Sequence, residues 1–215
     1  MNNLLRVWKK YGYILLLIFI VAGLFDKRIA LAAVICMVGP LVFAFFNKGR
    51  FWCGNICPRG SFFDNIISKF SNNKPVPKLL KSNIFRVLVI IFLFYMFGSG
   101  IYKNWGNTAG IGMVFYRIIV VTTLVGICLS FFYNYRSWCN FCPMGSMTAF
   151  ISYLKKDKEV LNVSSSCVSC RLCEKKCPMG IVPYNYKENK LDHPDCIQCG
   201  KCMTCCPKNA INYKL

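Results

Sequence analysis

Two runs of four cysteines constrain the last third of this chain more than any other feature. They are Cys167-x2-Cys170-x2-Cys173-x3-Cys177-Pro178 and Cys196-x2-Cys199-x2-Cys202-x3-Cys206-Pro207. Three thiolates spaced in this way can wrap one face of a [4Fe–4S] cube, and the fourth, followed by proline, reaches the cube held by the other run. The spacing therefore predicts a small α+β domain of the bacterial ferredoxin type with two [4Fe–4S] clusters.

The predicted ligand sets cross between the runs. Cluster 1 is expected to take Cys167, Cys170, Cys173 and Cys206, and cluster 2 to take Cys196, Cys199, Cys202 and Cys177. Zinc is the alternative, since C-x2-C pairs also bind it. Two copies of a four-cysteine run that ends in proline favour the clusters. Cys205 is left over, and its simplest interpretation is an inert spare thiol.

Four apolar stretches precede these runs: Tyr13 to Phe25, Ile29 to Phe46, Val87 to Tyr102 and Val114 to Tyr133. A helix needs about 20 apolar residues to cross a bilayer, so the first and third stretches need help from their flanks. We expect four transmembrane helices, with a tight turn at Asp26-Lys27-Arg28. A cleavable signal peptide is rejected, because its Ala30-Leu31-Ala32 site would lie inside the next apolar stretch.

The formal charge of +19 follows the distribution that orients membrane proteins. Basic residues precede the first span and fill the segment between the second and third, whereas the other side has only Lys27, Arg28 and Lys103. Both termini are therefore expected in the cytoplasm, with the chain in the inner membrane. Cluster ligands must remain reduced, which suits that compartment. No nucleic-acid motif is present, and no nucleic-acid partner is expected.

An internal repeat links the two halves of the apolar part. The segment from Arg50 to Ser61 aligns with the segment from Arg136 to Ser146, and each contains a Trp-Cys turn that ends in Cys-Pro. Each turn follows two predicted spans, so the membrane part is a duplicated two-helix unit. Proline suits the first position of a helix. Amphipathic helices are thus predicted over about 58–70 and 143–155.

The turn cysteines form a second candidate site. A pseudo-twofold arrangement would bring Cys53, Cys57, Cys139 and Cys142 together near the cytoplasmic surface, where helix N-termini favour thiolates. These four are a possible third iron–sulfur cluster. Packing thiols or a reversible dithiol are the alternatives.

Three arginines flank the turns: Arg50, Arg59 and Arg136. They are positioned to neutralise an anionic cluster or a quinone head group, although lipid phosphate is the commoner partner of such residues. No Asp or Glu lies within the four spans, so no carboxylate proton relay is expected in the membrane.

Taken together, four spans, two Trp-Cys-x2/3-Cys-Pro-x-Gly turns at 51–60 and 137–145, and a two-cluster tail resemble the NapH-type membrane ferredoxins. These are quinol-dehydrogenase subunits, and the resemblance covers nearly the whole chain. It implies electron transfer between the quinone pool and other redox subunits. The second turn departs from the usual pattern, because two residues rather than three separate Cys139 from Cys142.

The sequence thus predicts an α-helical membrane domain over 1–160 and a cytoplasmic ferredoxin domain over 161–215. The predicted function is electron transfer between the quinone pool and partner oxidoreductases within the lipid bilayer, and no catalytic residue is assigned. The alternative is a membrane reductase that acts in metalloenzyme assembly, for example of copper enzymes. A redox sensor is a third interpretation.

Overall fold

The computed structural model describes residues 3–46, 48–155 and 160–213. Residues 3–155 form a helical part, and a small tail follows at 160–213. The α-helices are α1 Asn3–Tyr11, α2 Tyr13–Phe25, α3 Ala33–Phe45, α4 Phe51–Asn55, α5 Pro58–Asn65, α6 Lys78–Lys81, α7 Asn83–Lys103, α8 Thr108–Phe132, α9 Pro143–Leu154, α10 Leu172–Lys176 and α11 Lys201–Thr204. Short 3₁₀ segments occupy Lys27–Ala32, Ile67–Lys69, Ser137–Asn140 and Pro183–Tyr186.

Three helical segments in the described part of the chain are long and apolar enough to cross a membrane: Lys27–Phe45, Asn83–Lys103 and Thr108–Phe132. A fourth results if α1 and α2 are taken together, although the axis bends by 47° between them. The structure therefore offers three to four candidate spans where the sequence predicts four. None of the residues of α7 is buried against the rest of the chain, which fits an apolar helix that faces lipid.

The bend at Gly12 separates a surface helix from a short apolar one. In α1, Trp8 Nε1 donates to the carbonyl of Ile56 (2.8 Å), and the Lys9 carbonyl accepts a bond from Ser61 Oγ (2.8 Å). These contacts hold α1 against the first turn. The 13 residues of α2 span about 20 Å, less than the bilayer core, so this crossing depends on its flanks.

The predicted turn after the first span is a break between helices. Asp26 ends α2, and its Oδ1 accepts a bond from the amide of Arg28 (2.9 Å) at the start of the 3₁₀ segment. That segment runs directly into α3. Gly112 of α8 packs so tightly on it that an added Cβ would lie 2.0 Å from the Lys27 carbonyl oxygen.

Both Cys-Pro helices pack on the apolar helices of the first repeat. Both α5 and α9 begin with the proline that follows the second turn cysteine, as predicted. Helix α5 packs on α2, and α9 packs on α3. Helix α5 ends at Asn65, earlier than the predicted 70, and a 3₁₀ turn completes the segment.

The tail is an α+β unit built round one antiparallel pair of strands. Strand β1, Leu161–Val163, pairs with β2, Ile211–Tyr213, so the two ends of the tail meet. The two short helices α10 and α11 lie between them, one in each cysteine run. The core is apolar and includes Leu161, Leu191, Ile197 and Ile211, together with several of the cysteines.

Candidate iron–sulfur centres

The two cysteine loops of the tail have the same backbone design. In each, the residue before the second cysteine and the residue after it adopt positive φ. These are Ser169 (53°) and Arg171 (62°) in the first loop, and Gln198 (52°) and Gly200 (75°) in the second. Three of the four are not glycine, so the loops hold a conformation that side chains rarely favour. The sequence did not predict this strain, because glycine is the residue that indicates a positive φ and three of these four positions lack it.

Two cavities in the tail are lined by cysteines of both runs. One is lined by Cys177, Cys196, Cys199 and Cys202. The other is lined by Cys167, Cys170, Cys173 and Cys206. Each cavity is thus lined by three cysteines of one run and the last cysteine of the other, while their role as ligands stays a prediction.

The fourth cysteine of each run has an equivalent amide beside its sulfur. The Ile181 amide donates to Cys177 Sγ (3.4 Å), and the Ala210 amide donates to Cys206 Sγ (3.3 Å). Amide donors of this kind stabilise thiolates that bind a metal centre. Burial raises the pKa of Cys196 to about 12, so without a bound metal this thiol would stay protonated.

Among residues 3–46, 48–155 and 160–213, no group of three or more His, Cys, Asp or Glu side chains is close enough to hold one metal ion. Each of the two cavities is lined by four cysteines, which is the number of thiolates that one [4Fe–4S] cluster takes.

The turn cysteines are brought together by the two repeats. Cys53 lies within electrostatic range of Cys57, Cys139 and Cys142, and burial raises its pKa to about 12. The two turns therefore lie near each other in the fold, and the shared site expected from the repeat stays a prediction. The second cysteine of each pair, Cys57 or Cys142, directly precedes the proline that begins α5 or α9.

Two arginines cross between the repeats at this point. Arg50 of the first repeat donates through Nη2 to the Cys139 carbonyl (2.7 Å), and Arg136 of the second donates through Nη1 to the Cys53 carbonyl (3.0 Å). Arg136 also contacts Cys139 Sγ (3.5 Å). Each guanidinium lies against the glycine of the opposite turn. A Cβ added at Gly60 would lie 2.8 Å from Arg136 Nη1, and a Cβ added at Gly145 would lie 2.5 Å from Arg50 Nη2.

Arg50 and Arg136 are each only 1% exposed, so neither can reach a lipid phosphate. The expectation that lipid phosphate is their partner is wrong for both. Their partners are carboxylates, one of them in the tail. Arg50 pairs with Asp195 (2.9 Å), which also binds Arg86 (2.9 Å), and Arg136 pairs with Asp64. Buried charges require such partners.

The second cysteine loop of the tail is docked directly on the turns. Lys201 Nζ binds Asp64 (3.0 Å), the Asn55 amide donates to the Gln198 carbonyl (3.2 Å), and Lys9 Nζ donates to the Cys199 carbonyl (2.6 Å). An added Cβ at Gly54 would lie 2.0 Å from the Ile197 carbonyl oxygen. The backbone of the tail therefore touches the backbone of the first turn.

The carboxylates at this interface are held ionised. Burial opposes ionisation of Asp64, but Arg136 and Lys201 beside it hold its pKa below the usual value. Burial likewise opposes ionisation of Asp195, and Arg86 and Arg50 lower its pKa. Sequence reasoning did not single out either residue. Their rarity was the available signal, since the chain has only 8 acidic residues against 27 basic ones.

Two known protein families match the chain. A "4Fe-4S binding domain" matches twice, over residues 29–77 and 116–160, so each match contains one Cys-Pro turn. A "4Fe-4S dicluster domain" matches residues 166–211 and contains both tail runs. Together with the cysteine-lined cavities, these matches define an iron–sulfur electron-transfer protein.

Three relatives refine this class. The uncharacterized protein MJ0749 of Methanocaldococcus jannaschii is 30% identical over 210 residues, which cover 94% of this chain and 78% of the relative. The uncharacterized protein MJ0750 of the same organism is 28% identical over 208 residues, covering 91% and 82%. One component of the ion-translocating oxidoreductase complex of Methanosarcina acetivorans is 35% identical over 60 residues, covering 27% and 23%. No solved structure matches the chain.

The chain belongs to the same family as MJ0749. Part of the chain is also similar to a component of an oxidoreductase complex, as its match to the Methanosarcina acetivorans protein shows.

Proposed function

We propose that this chain is a membrane-bound iron–sulfur protein that passes electrons between the quinone pool and partner oxidoreductases. The helical part, residues 1–160, would lie in the inner membrane, and residues 161–215 would form a cytoplasmic ferredoxin domain. When bound, [4Fe–4S] clusters supply one-electron transfer. The residues of the chain hold these centres, order them in space and set their surroundings.

One observation carries the proposal: the tail docks with its second cysteine loop on the turns. Residues 195–201 contact Arg50, Asn55 and Asp64 directly. The loop that carries three of the cysteines proposed for cluster 2 is thus the part of the tail that contacts the turns. This contact supports a path for electrons between the proposed turn site and the tail.

The crossed ligand sets belong to this proposal. The cavity lined by Cys167, Cys170, Cys173 and Cys206 would hold cluster 1, and the cavity lined by Cys177, Cys196, Cys199 and Cys202 would hold cluster 2. The two runs that end in proline and the match to a "4Fe-4S dicluster domain" favour clusters over zinc.

A third cluster at the turns has weaker but independent support. The four cysteines converge, a "4Fe-4S binding domain" matches each repeat, and two guanidinium groups lie at the site. Both guanidinium groups already pair with carboxylates, so the support for a cluster comes from the four cysteines and from the family matches.

The quinone and the NapH-type role rest on the resemblance and on the position of the turns. The turns begin directly after the candidate spans Lys27–Phe45 and Thr108–Phe132. A membrane-soluble donor at that end of the spans would meet the turn site before the tail sites.

Iron and acid-labile sulfide, counted per chain after anaerobic purification, test the proposal. Three clusters correspond to about 12 iron atoms per chain, and two clusters to about 8. Replacing Cys53 and Cys139 by Ser should remove about four irons. If the double substitution left the iron content per chain unchanged, the turn cysteines would be packing residues and not cluster ligands.

Adjacent cysteines provide a matched pair for the tail. Cys206→Ser should remove about four irons and the corresponding electron paramagnetic resonance signal, whereas Cys205→Ser should leave both unchanged. Zinc in place of iron in the anaerobically prepared wild type would overturn the proposal.

Deletion of the gene separates electron transfer from metalloenzyme assembly. A carrier should leave its partner enzyme fully metallated but unreduced. A partner enzyme that lacks its metal would favour the assembly role instead.

A further inference from the structure

One surface of the tail remains exposed beside the cysteines of cluster 1. We call it the distal face, and it consists of Val168, Cys170, Arg171, Leu172, Lys175, Lys176 and Lys208. Val168, Cys170, Leu172 and Lys208 also line the cluster 1 cavity. The surface is thus the outer wall of one proposed redox centre.

The apolar centre of the distal face is open. Val168 is 61% exposed and Leu172 is 43% exposed, and the thiol of Cys170 between them is also exposed. Exposed apolar side chains rimmed by polar ones are typical of sites that bind another protein.

The rim of the distal face is basic. Arg171, Lys175, Lys176 and Lys208 are all exposed, and none takes part in the four ion pairs found in the described part of the chain. The carboxylate nearest in sequence, Glu174, accepts a hydrogen bond from the Tyr184 hydroxyl (3.1 Å). The rim therefore presents positive charge to whatever approaches.

The second cysteine loop of the tail is a copy of the first, and it is used as a docking surface within the chain. Val168 and Ile197 both follow the first cysteine of their run, and their loops share the same positive-φ design. Ile197 is only 2% exposed, because its loop is docked on the first turn, where its carbonyl lies against Gly54. The first loop has the same shape but lies uncovered.

We infer that the distal face is the docking site of a soluble electron-carrier protein with an acidic surface. The second loop docks on the turns within the chain, and the first loop docks the external partner in the corresponding way. Charge complementarity selects an acidic partner, and exposed Cys170 places the cluster 1 cavity close to the contact. This inference rests on the proposed electron-transfer function and adds the partner.

An acidic flavodoxin serves as the probe, with the full-length protein held in nanodiscs of neutral lipid. The dissociation constant is measured without turnover at several salt concentrations. For the wild type it should rise with salt, because the attraction is between exposed charges. The double substitution Lys175→Glu, Lys176→Glu should weaken binding roughly tenfold at low salt and flatten its salt dependence.

The matched control is the double substitution Lys187→Glu, Lys190→Glu. Both lysines are exposed on the tail but lie outside the distal face. The control should change the dissociation constant by less than about twofold. Iron content equal to that of the wild type shows that each variant still folds.

Val168→Ser tests the apolar centre and should weaken binding with little change in its salt dependence. The inference would be overturned if flavodoxin binding by the wild type did not depend on salt, or if the rim and control variants lost equal affinity for flavodoxin. It would also be overturned if the rim bound vesicles of anionic phosphatidylglycerol and not flavodoxin. Since binding is read separately from the iron count, its failure would leave the proposed clusters standing.

Discussion

Arg59 gives the two turns different charges. It follows Cys57-Pro58, whereas the neutral Met144 follows Cys142-Pro143 at the equivalent position. Arg59 donates to Thr122 Oγ1 (2.9 Å) and contacts Cys142 Sγ (3.6 Å). A cation beside ligand sulfurs stabilises the more negative, reduced form of a metal centre. The first repeat therefore contributes a positive charge that the second does not.

Replacing Arg59 by Met should lower the reduction potential of the cluster proposed at the turns. Loss of one nearby charge corresponds to at least about tenfold in the ratio of reduced to oxidised centre, or roughly 60 mV for one electron. Potentiometric titration followed by electron paramagnetic resonance measures it. Arg59→Lys keeps the charge and should retain most of the potential. Equal potentials in the wild type and the Met variant would contradict this role.

At the scale of elements, the local features were predictable from the sequence. Proline at the first helical position marked the starts of α5 and α9. Its fixed φ suits helix entry and its missing N–H is not needed there, and both effects act within one helical turn. The apolar stretches located α7 and α8 in the same way. The bend of 47° at Gly12 was not predictable, because it depends on bonds from Trp8 and Lys9 to the first turn.

The crossed arginines belong to the part that sequence patterns do not encode. Arg50 meets Asp195 across 145 residues, and Lys201 meets Asp64 across 137. No periodicity or spacing links residues so far apart, whereas the repeat did indicate that the turn cysteines converge. The repeat could also have indicated that Arg50 and Arg136 share a role. Only the packing of the tail on the turns shows that their partners are carboxylates of the same chain.

Helix α4 provides a direct test of this docking. Gly54→Ala would force a Cβ to 2.0 Å from the Ile197 carbonyl oxygen, so the tail should separate from the turn. Overpacking of this kind costs about 1–3 kcal/mol or more. Hydrogen exchange of residues 195–201 should increase at least about fivefold, which corresponds to about 1 kcal/mol.

Gly98→Ala in α7 is the matched control, since an added Cβ there has nothing within 4 Å. It should leave exchange in the tail unchanged and favour the helix slightly, because alanine is the better helix former. Exchange at residues 195–201 that is the same in both variants would mean that the tail is not held by the first turn.

For the whole molecule, the two ends of the spans carry different charges. Gly112 of α8 lies against Lys27, so the start of α8 and the break after α2 share one end, together with Lys103 at the end of α7. The turns and the tail lie at the opposite end, where most basic residues of the helical part are found. By the positive-inside rule, we predict that the turns and the tail face the cytoplasm.

Reporter fusions test this orientation. Alkaline phosphatase joined after Gly106, between α7 and α8, should be active, because it would be exported. Joined after Ser71, between α5 and α6, it should be inactive, and green fluorescent protein at the same two positions should give the reverse pattern. Gly106 has nothing within 4 Å of an added Cβ, so the junction does not disturb packing. Active phosphatase after Ser71 would place the turns outside, where an oxidising compartment would convert their thiols to disulfides rather than leave them free for iron. The orientation of the spans therefore decides whether the turn cysteines can serve as ligands at all.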